Sequence, residues 1–300
     1  MKDYVFRILL AALLCVPLIF GFPFLSVLAL CSLFTYNLVK NSFKVFAVIA
    51  AVVLLIMFAA FRGNIPAILS FFGLLVIVSY VLGMGISKKK TFSSTMISTV
   101  TAAIAAITLI LLYYTHTTGK TAFTLLFGDY IEVLKQTFAQ LDISSDFADL
   151  FAQQLELMMP SFIIISTAIT VYIVFCISRG FLERNGYMID NMPHFEELSL
   201  NRTFSTVFLF ILLFSMFDGV SAVAMNIIMV VVTLFAMCGL SVGVYYIKTF
   251  GLPKAIRVII YILLVVIMMF VNALGGIPTI VLLIVGVIDS YRPLRFRKGE

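Results

Sequence analysis

The chain has 300 residues, of which 63% are hydrophobic and 11% charged, and a net charge of +6; its mean hydropathy is +1.17. No water-soluble core could bury that much apolar side chain, so the composition excludes a soluble globular protein and implies an all-α, polytopic membrane bundle in contact with the lipid bilayer. The positive charge falls in short segments between apolar runs, with no soluble basic and aromatic stretch, which excludes nucleic acid as a partner.

In chain order the apolar runs predict about ten helical spans: 5–21, 23–39, 45–61, 65–86, 94–114, 160–182, 203–217, 221–247, 254–273 and 277–291. The first run has no small-residue cleavage pattern and leads straight into the next, so it reads as a span and not as a cleaved signal. Helix breakers divide neighbouring spans: Gly21-Phe22-Pro23, Arg62-Gly63-Asn64-Ile65-Pro66, Asp218-Gly219 and Gly275-Gly276-Ile277-Pro278. Proline removes a helix donor and glycine admits the turn. Spans of 15 to 17 residues are short for a hydrocarbon core of ~30 Å and suit tilted or partial crossings.

The predicted organisation is one integral membrane domain, 1–300, with five spans in 1–114, an exterior amphipathic segment at 115–159, and five spans in 160–300. In the middle segment Ile131, Leu134, Phe138 and Leu141 share one helical face. Phe147, Leu150, Phe151, Leu155 and Met158 form a second stripe, after a break at 142–145 where Ser144, Ser145 or Asp146 would cap the new helix. Too polar to span, this segment is expected to lie on the membrane surface or cap the bundle, as a tether or as a gate over a cavity.

Charge sets the orientation. With both termini cytoplasmic, 17 of the 20 Lys and Arg residues lie inside, and only Arg62, Lys120 and Lys135 lie outside; this pattern predicts a multi-pass protein of the cytoplasmic (inner) membrane. Five spans on each side of an exterior segment would allow inverted repeats, although the halves show no residue-level similarity.

Cys15, Cys31, Cys176 and Cys238 all fall in apolar spans and read as reduced packing residues. The chain has no HExxH, no GxSxG and no phosphate loop. It predicts neither an enzyme nor a bound cofactor or metal, and intramembrane carboxylates for a proton relay are missing. Asn226 and Asn272 are the pocket candidates, because an amide in lipid needs a partner; Arg62 and Asp218, on the same predicted side, could close a cavity. Other polar span residues, such as Asn37, Thr108, Thr170 and Thr233, are expected to hydrogen-bond between helices. Asp289 is expected to neutralise Arg292 three residues on. Gly239 and Gly243 form a GxxxG pair that predicts close helix packing. The loop 183–202, with Arg184, Asp190, Pro193, Glu196 and Glu197, is the best cytoplasmic docking surface.

Several strings carry a family resemblance. They are 178–186 (Ser-Arg-Gly-Phe-Leu-Glu-Arg-Asn-Gly), 191–195 (Asn-Met-Pro-His-Phe), 237–243 (Met-Cys-Gly-Leu-Ser-Val-Gly), 251–257 (Gly-Leu-Pro-Lys-Ala-Ile-Arg) and 285–289 (Val-Gly-Val-Ile-Asp), with Arg295 to Lys298 at the end. Together they resemble the YybS-like family of predicted bacterial membrane proteins, named for a domain of unknown function. By layout the chain is distantly similar to the substrate-binding components of energy-coupling-factor vitamin transporters and to the rod-shape protein MreD. Those components typically dock through an AxxxA spacing in the first span. Here Ala11 is followed four residues on by Cys15, and the spacing appears instead at Ala47 and Ala51.

These observations predict a transport-type or small-ligand-binding membrane component holding a neutral or apolar molecule. The alternative is a non-transporting scaffold that joins transport or envelope complex subunits through the 183–202 loop.

Overall fold

The structure is a computed structural model that describes residues 2–19, 23–61, 65–141, 144–189, 192–214, 221–251, 253, 256 and 277–295. The described residues are all-helical apart from turns and loops. Helices run α1 Lys2–Leu14, α2 Val16–Ile19, α3 Pro23–Lys40, α4 Phe43–Ala60, α5 Ile65–Ser87, α6 Phe92–Thr118, α7 Ala122–Gln140, α8 Ser145–Arg184, α9 Arg202–Phe214, α10 Ala222–Thr249 and α11 Ile277–Tyr291, with a short 3-10 turn at Phe195–Glu197. Six of them, α3, α4, α5, α6, α8 and α10, are long and apolar enough to cross a membrane. The shorter α9 and α11 are apolar but under that length.

The chain divides into two compact units. Unit 1 comprises Met1–Glu156 and Phe162–Met192; unit 2 comprises Leu157–Ser161 and Pro193–Glu300. Most of α8 therefore packs with the N-terminal helices, whereas the sequence-based division placed 160–182 with the C-terminal spans.

Unit 1 is built on α3, whose buried face carries Ser26, Leu30, Cys31, Phe34, Thr35 and Asn37. Small polar side chains let the helix axes close up and bridge them. Ser79 of α5 donates to the Cys31 carbonyl at 3.3 Å, Thr35 donates back to the Ser79 carbonyl at 3.5 Å, and Ser32 reaches the Val174 carbonyl of α8 at 3.4 Å. Phe34, Val53, Leu75, Leu82, Val174 and Phe175 fill the remaining space. The turn after α5 places Lys89 at φ 50. Lys90 N–H bonds the Gly85 carbonyl and Lys89 N–H the Ile86 carbonyl, both at 3.0 Å, which is a Schellman closure with lysine where glycine is usual.

In unit 2 the principal joint is α10 against α11. A Cβ on Gly239 would stand 2.0 Å from the Leu282 carbonyl oxygen, and one on Gly286 would stand 2.0 Å from the Phe235 oxygen. Two backbones lie directly against each other here, an approach only glycine permits. Phe208 of α9 stacks on Phe235 at 5.1 Å and closes the adjoining core with Val231.

Three sequence expectations change. The predicted break before residue 160 is absent: α8 runs 40 residues with Pro160 inside it. Its start agrees with prediction, because Ser144 caps it by accepting the Phe147 N–H at 3.4 Å. The polar residues of the spans mostly bond within their own helix. Thr108, Thr170 and Thr233 donate to the carbonyls of Ile104, Ser166 and Met229, four residues back, because that acceptor is always within reach of a helical Thr. The predicted first span, 5–21, is interrupted at Cys15, between α1 and α2, earlier than the glycine and proline signal. Residues 20–22, 62–64, 215–220 and 257–276, which hold most of the predicted ninth span and all or part of each of the four predicted turns between spans, lie outside the described residues.

The middle segment forms a helix hairpin in unit 1. Thr121 caps α7 by accepting the Thr124 N–H at 3.2 Å. Phe138 of α7 packs on Phe147 and Phe151 of α8 with ring centroids 5.7 and 6.1 Å apart, and Lys135 pairs with Asp149 at 2.6 Å. Ile131 and Ala148 are buried at this joint, while Leu141, Leu150 and Val133 stay exposed. The predicted stripes are therefore only half used within the chain.

Candidate functional site

Unit 1 holds a groove of about 670 Å³ among α1, α3 and α8. Its walls are three helical stripes at four-residue spacing: Phe6, Leu10 and Leu14 on α1; Leu25, Leu28, Ala29 and Leu33 on α3; Ile177 and Phe181 on α8. That spacing turns one apolar face of each helix towards the groove. Among the described side chains polar groups enter at one end only, where Tyr36 and Lys40 of α3 meet Asn185 beyond the end of α8. Lys40 Nζ donates to Asn185 Oδ1 at 3.0 Å and to its carbonyl at 3.4 Å, and lies 5.7 Å from the Tyr36 ring centroid. Asn185 Nδ2 in turn donates to the Phe181 carbonyl at 2.8 Å. The groove was not anticipated from the sequence. The four-residue stripes were the available signal, but nothing in them distinguishes a wall from a packed face.

The sequence-predicted pocket residues lie elsewhere. Asn226 is bound into unit 2 at the proline of α8. Pro160 has no N–H and leaves the Glu156 carbonyl without its usual helical donor. On the next rung Asn226 Oδ1 accepts the Ser161 N–H at 2.8 Å, and Asn226 Nδ2 donates to the Leu157 carbonyl at 2.7 Å and the Ala222 carbonyl at 2.8 Å. One side-chain amide thus serves the donor and the acceptor of the same helical rung. Ser161 Oγ adds a bond to the Met158 carbonyl at 2.7 Å and a contact to Met229 Sδ at 3.5 Å. Asn226 does find the partner that an amide in an apolar span needs, but that partner is backbone. Arg62, Asp218 and Asn272 lie outside the described residues.

The part of the predicted docking loop that belongs to unit 2, from Pro193 on, is engaged by that unit. Arg295 donates to the Glu196 carbonyl at 2.6 Å, the Leu198 carbonyl at 2.6 Å, Ser241 Oγ at 2.8 Å and Asp289 Oδ2 at 2.9 Å. Its side chain is 10% exposed and that of Asp289 3%. Asp289 Oδ1 accepts the Leu294 N–H at 3.0 Å, which folds the chain back after α11. This corrects the expected Asp289–Arg292 pair: Arg292 is exposed at the end of α11, and the chain that returns after it presents Arg295 to Asp289 instead. Glu196 also pairs with Lys248. Burial pushes the Glu196 carboxyl up, but the Lys248 hydrogen bond and charge outweigh it and hold the group below its ordinary range. Glu197 turns inward along the chain, its Oε2 accepting the His194 N–H at 2.8 Å. Pro193 is half-buried and Arg184, the last residue of α8, is exposed. Asp190 lies outside the described residues.

The two glycines of the predicted pair separate. Gly239 makes the close approach, but a Cβ on Gly243 would meet nothing within 4 Å. The partner of Gly239 is Gly286, on the other helix. The displaced AxxxA pair, Ala47 and Ala51, lies on the exposed face of α4.

No curated protein and no solved structure matches the chain. A family model described as predicted membrane protein, DUF2232, matches residues 5–290, nearly the whole chain, in keeping with the resemblance carried by the C-terminal strings. The chain belongs to this family of predicted membrane proteins.

Proposed function

We propose that the protein is a binding component of the cytoplasmic membrane that holds an apolar ligand in the groove of unit 1. It does so without catalysing a reaction or using a cofactor, and with both termini cytoplasmic. The observation that carries this reading is the groove: about 670 Å³, within the range of ~300–1,000 Å³ typical of small-molecule sites, apolar along three helices and polar at one end. Transport would place that site on a path for the ligand.

Ala29 provides the test, since it is the small side chain in the groove wall. Protein purified in mild detergent is expected to carry small apolar molecules detectable by mass spectrometry of the extracted complex. Ala29→Phe is expected to lose them while remaining folded. Equal recovery of the same molecules from both proteins would rule the groove out as their site.

A scaffold reading is favoured by one observation. Helix α4 exposes Ala47 and Ala51 beside Val48 and Leu55, 54% and 68% exposed, a small-residue face on which a partner helix could lie closely. Its test is co-purification of transport or envelope subunits that Ala47→Leu with Ala51→Leu abolishes.

A further inference from the structure

We propose that the occupant of the groove is an anionic glycerophospholipid, seated with its phosphate at Lys40 and an acyl chain along α3. The inference rests on the binding reading above and names the class of ligand.

Shape and polarity point the same way. The α3 stripe from Leu25 to Lys40 covers 15 residue steps, roughly 22 Å at the helical rise. That is longer than one leaflet, about half of a ~30 Å hydrocarbon core. A neutral compact ligand would need polar partners along its body, and the walls offer none between Leu25 and Leu33. An amphiphile needs polar partners at one end only, and that is where they are.

Charge selects the headgroup. Among the described side chains no carboxylate forms an ion pair with Lys40. Its ammonium has three N–H donors, and Asn185 takes two of them, so one is left for a phosphate oxygen. Asn185 holds the ammonium at the mouth, and Tyr36 lies beneath it at 5.7 Å. Lys40 also opens one of the basic loops that the charge pattern assigns to the cytoplasmic side, where the leaflet carries anionic lipid.

The experiment is native mass spectrometry of the full chain in a mild detergent. Phosphatidylglycerol and phosphatidylcholine with identical acyl chains are supplied at equal concentration. The wild type is expected to retain phosphatidylglycerol about five-fold better, the equivalent of ~1 kcal/mol for one lysine near a membrane surface. Lys40→Gln is expected to remove the preference and keep an apolar occupant. Lys44→Gln, an exposed lysine of the same loop, is expected to leave the preference unchanged. Equal retention by the wild type overturns the lipid assignment, and so does a preference that survives Lys40→Gln or falls equally with Lys44→Gln. In each of those cases an occupant lost on Ala29→Phe still upholds the binding reading. If the wild type retains no more of either lipid than Ala29→Phe does, both fail.

Discussion

The α10–α11 joint of unit 2 and the α1, α3 and α8 walls of unit 1 are both lined by apolar side chains, yet they pack in opposite ways. At the first, Gly239 and Gly286 bring backbone against backbone with no room for a methyl group. At the second, leucines and phenylalanines prop three helices apart around about 670 Å³. In a membrane, burying apolar surface against a neighbouring helix gains little over burying it in lipid. What seals a joint is the size of the side chains at the contact, so hydropathy alone says nothing about where a bundle is solid.

Substitutions can break this contrast in order of size. Asp289→Ala leaves the buried Arg295 guanidinium without its counter-ion and is expected to cost about 3–5 kcal/mol. Unfolding in detergent micelles checks this, and a loss under ~1 kcal/mol would show that the pair contributes little. Gly239→Ala forces α10 from α11 and is expected to cost about 1–3 kcal/mol, whereas Gly243→Ala, with open space around it, is expected to stay within ~0.5 kcal/mol. Equal midpoint shifts for the two would mean that the close approach is not what holds unit 2. Asn226→Ala removes both partners of a helical rung and is expected to cost about 1–2 kcal/mol and to speed amide exchange at 157–161. Unchanged exchange there would show that the amide does not support the proline site. Ala29→Phe adds far more volume than Gly239→Ala, yet because it fills existing space its stability is expected to remain within ~0.5 kcal/mol of the parent.

The smallest effect is one of pH. Glu196 has a lowered pKa in the folded chain, so its contribution is complete above the unfolded carboxylate value of ~4.3. It is lost as pH falls through the folded value. Amide exchange in 193–200 is expected to rise as the medium is taken from pH 6 towards pH 3, and Glu196→Gln is expected to abolish that dependence. A response that persists in the Gln variant would assign it to another group.

The helical membrane class and the Ser144 cap were legible, because each follows from local chemistry that one stretch of chain contains; of the glycine pair, Gly239 packs closely but against the helix of Gly286, and Gly243 does not. The Asn226 partner was half legible: the need for one followed from an amide in an apolar run, but its identity depended on a proline 66 positions earlier in the sequence. The boundary expected at 159–160 was misplaced, since α8 continues through Pro160 with Asn226 serving the next rung. The groove and the Arg295 cluster were not legible. The first depends on which faces of three helices fail to meet, and the second on a chain reversal that follows α11.

The Arg295 cluster has a consequence for how the protein is made. Arg295 holds the loop through the main-chain carbonyls of Glu196 and Leu198, 99 and 97 residues before it. At ~5–20 residues per second of synthesis, those carbonyls leave the ribosome roughly 5–20 s before their partner does. Meanwhile α9, α10 and α11 must fold with the loop unfastened. Unit 2 is thus the late-maturing part of the molecule, and a nascent chain stalled within α11 would expose the 193–200 segment to proteases while unit 1 already had all its residues.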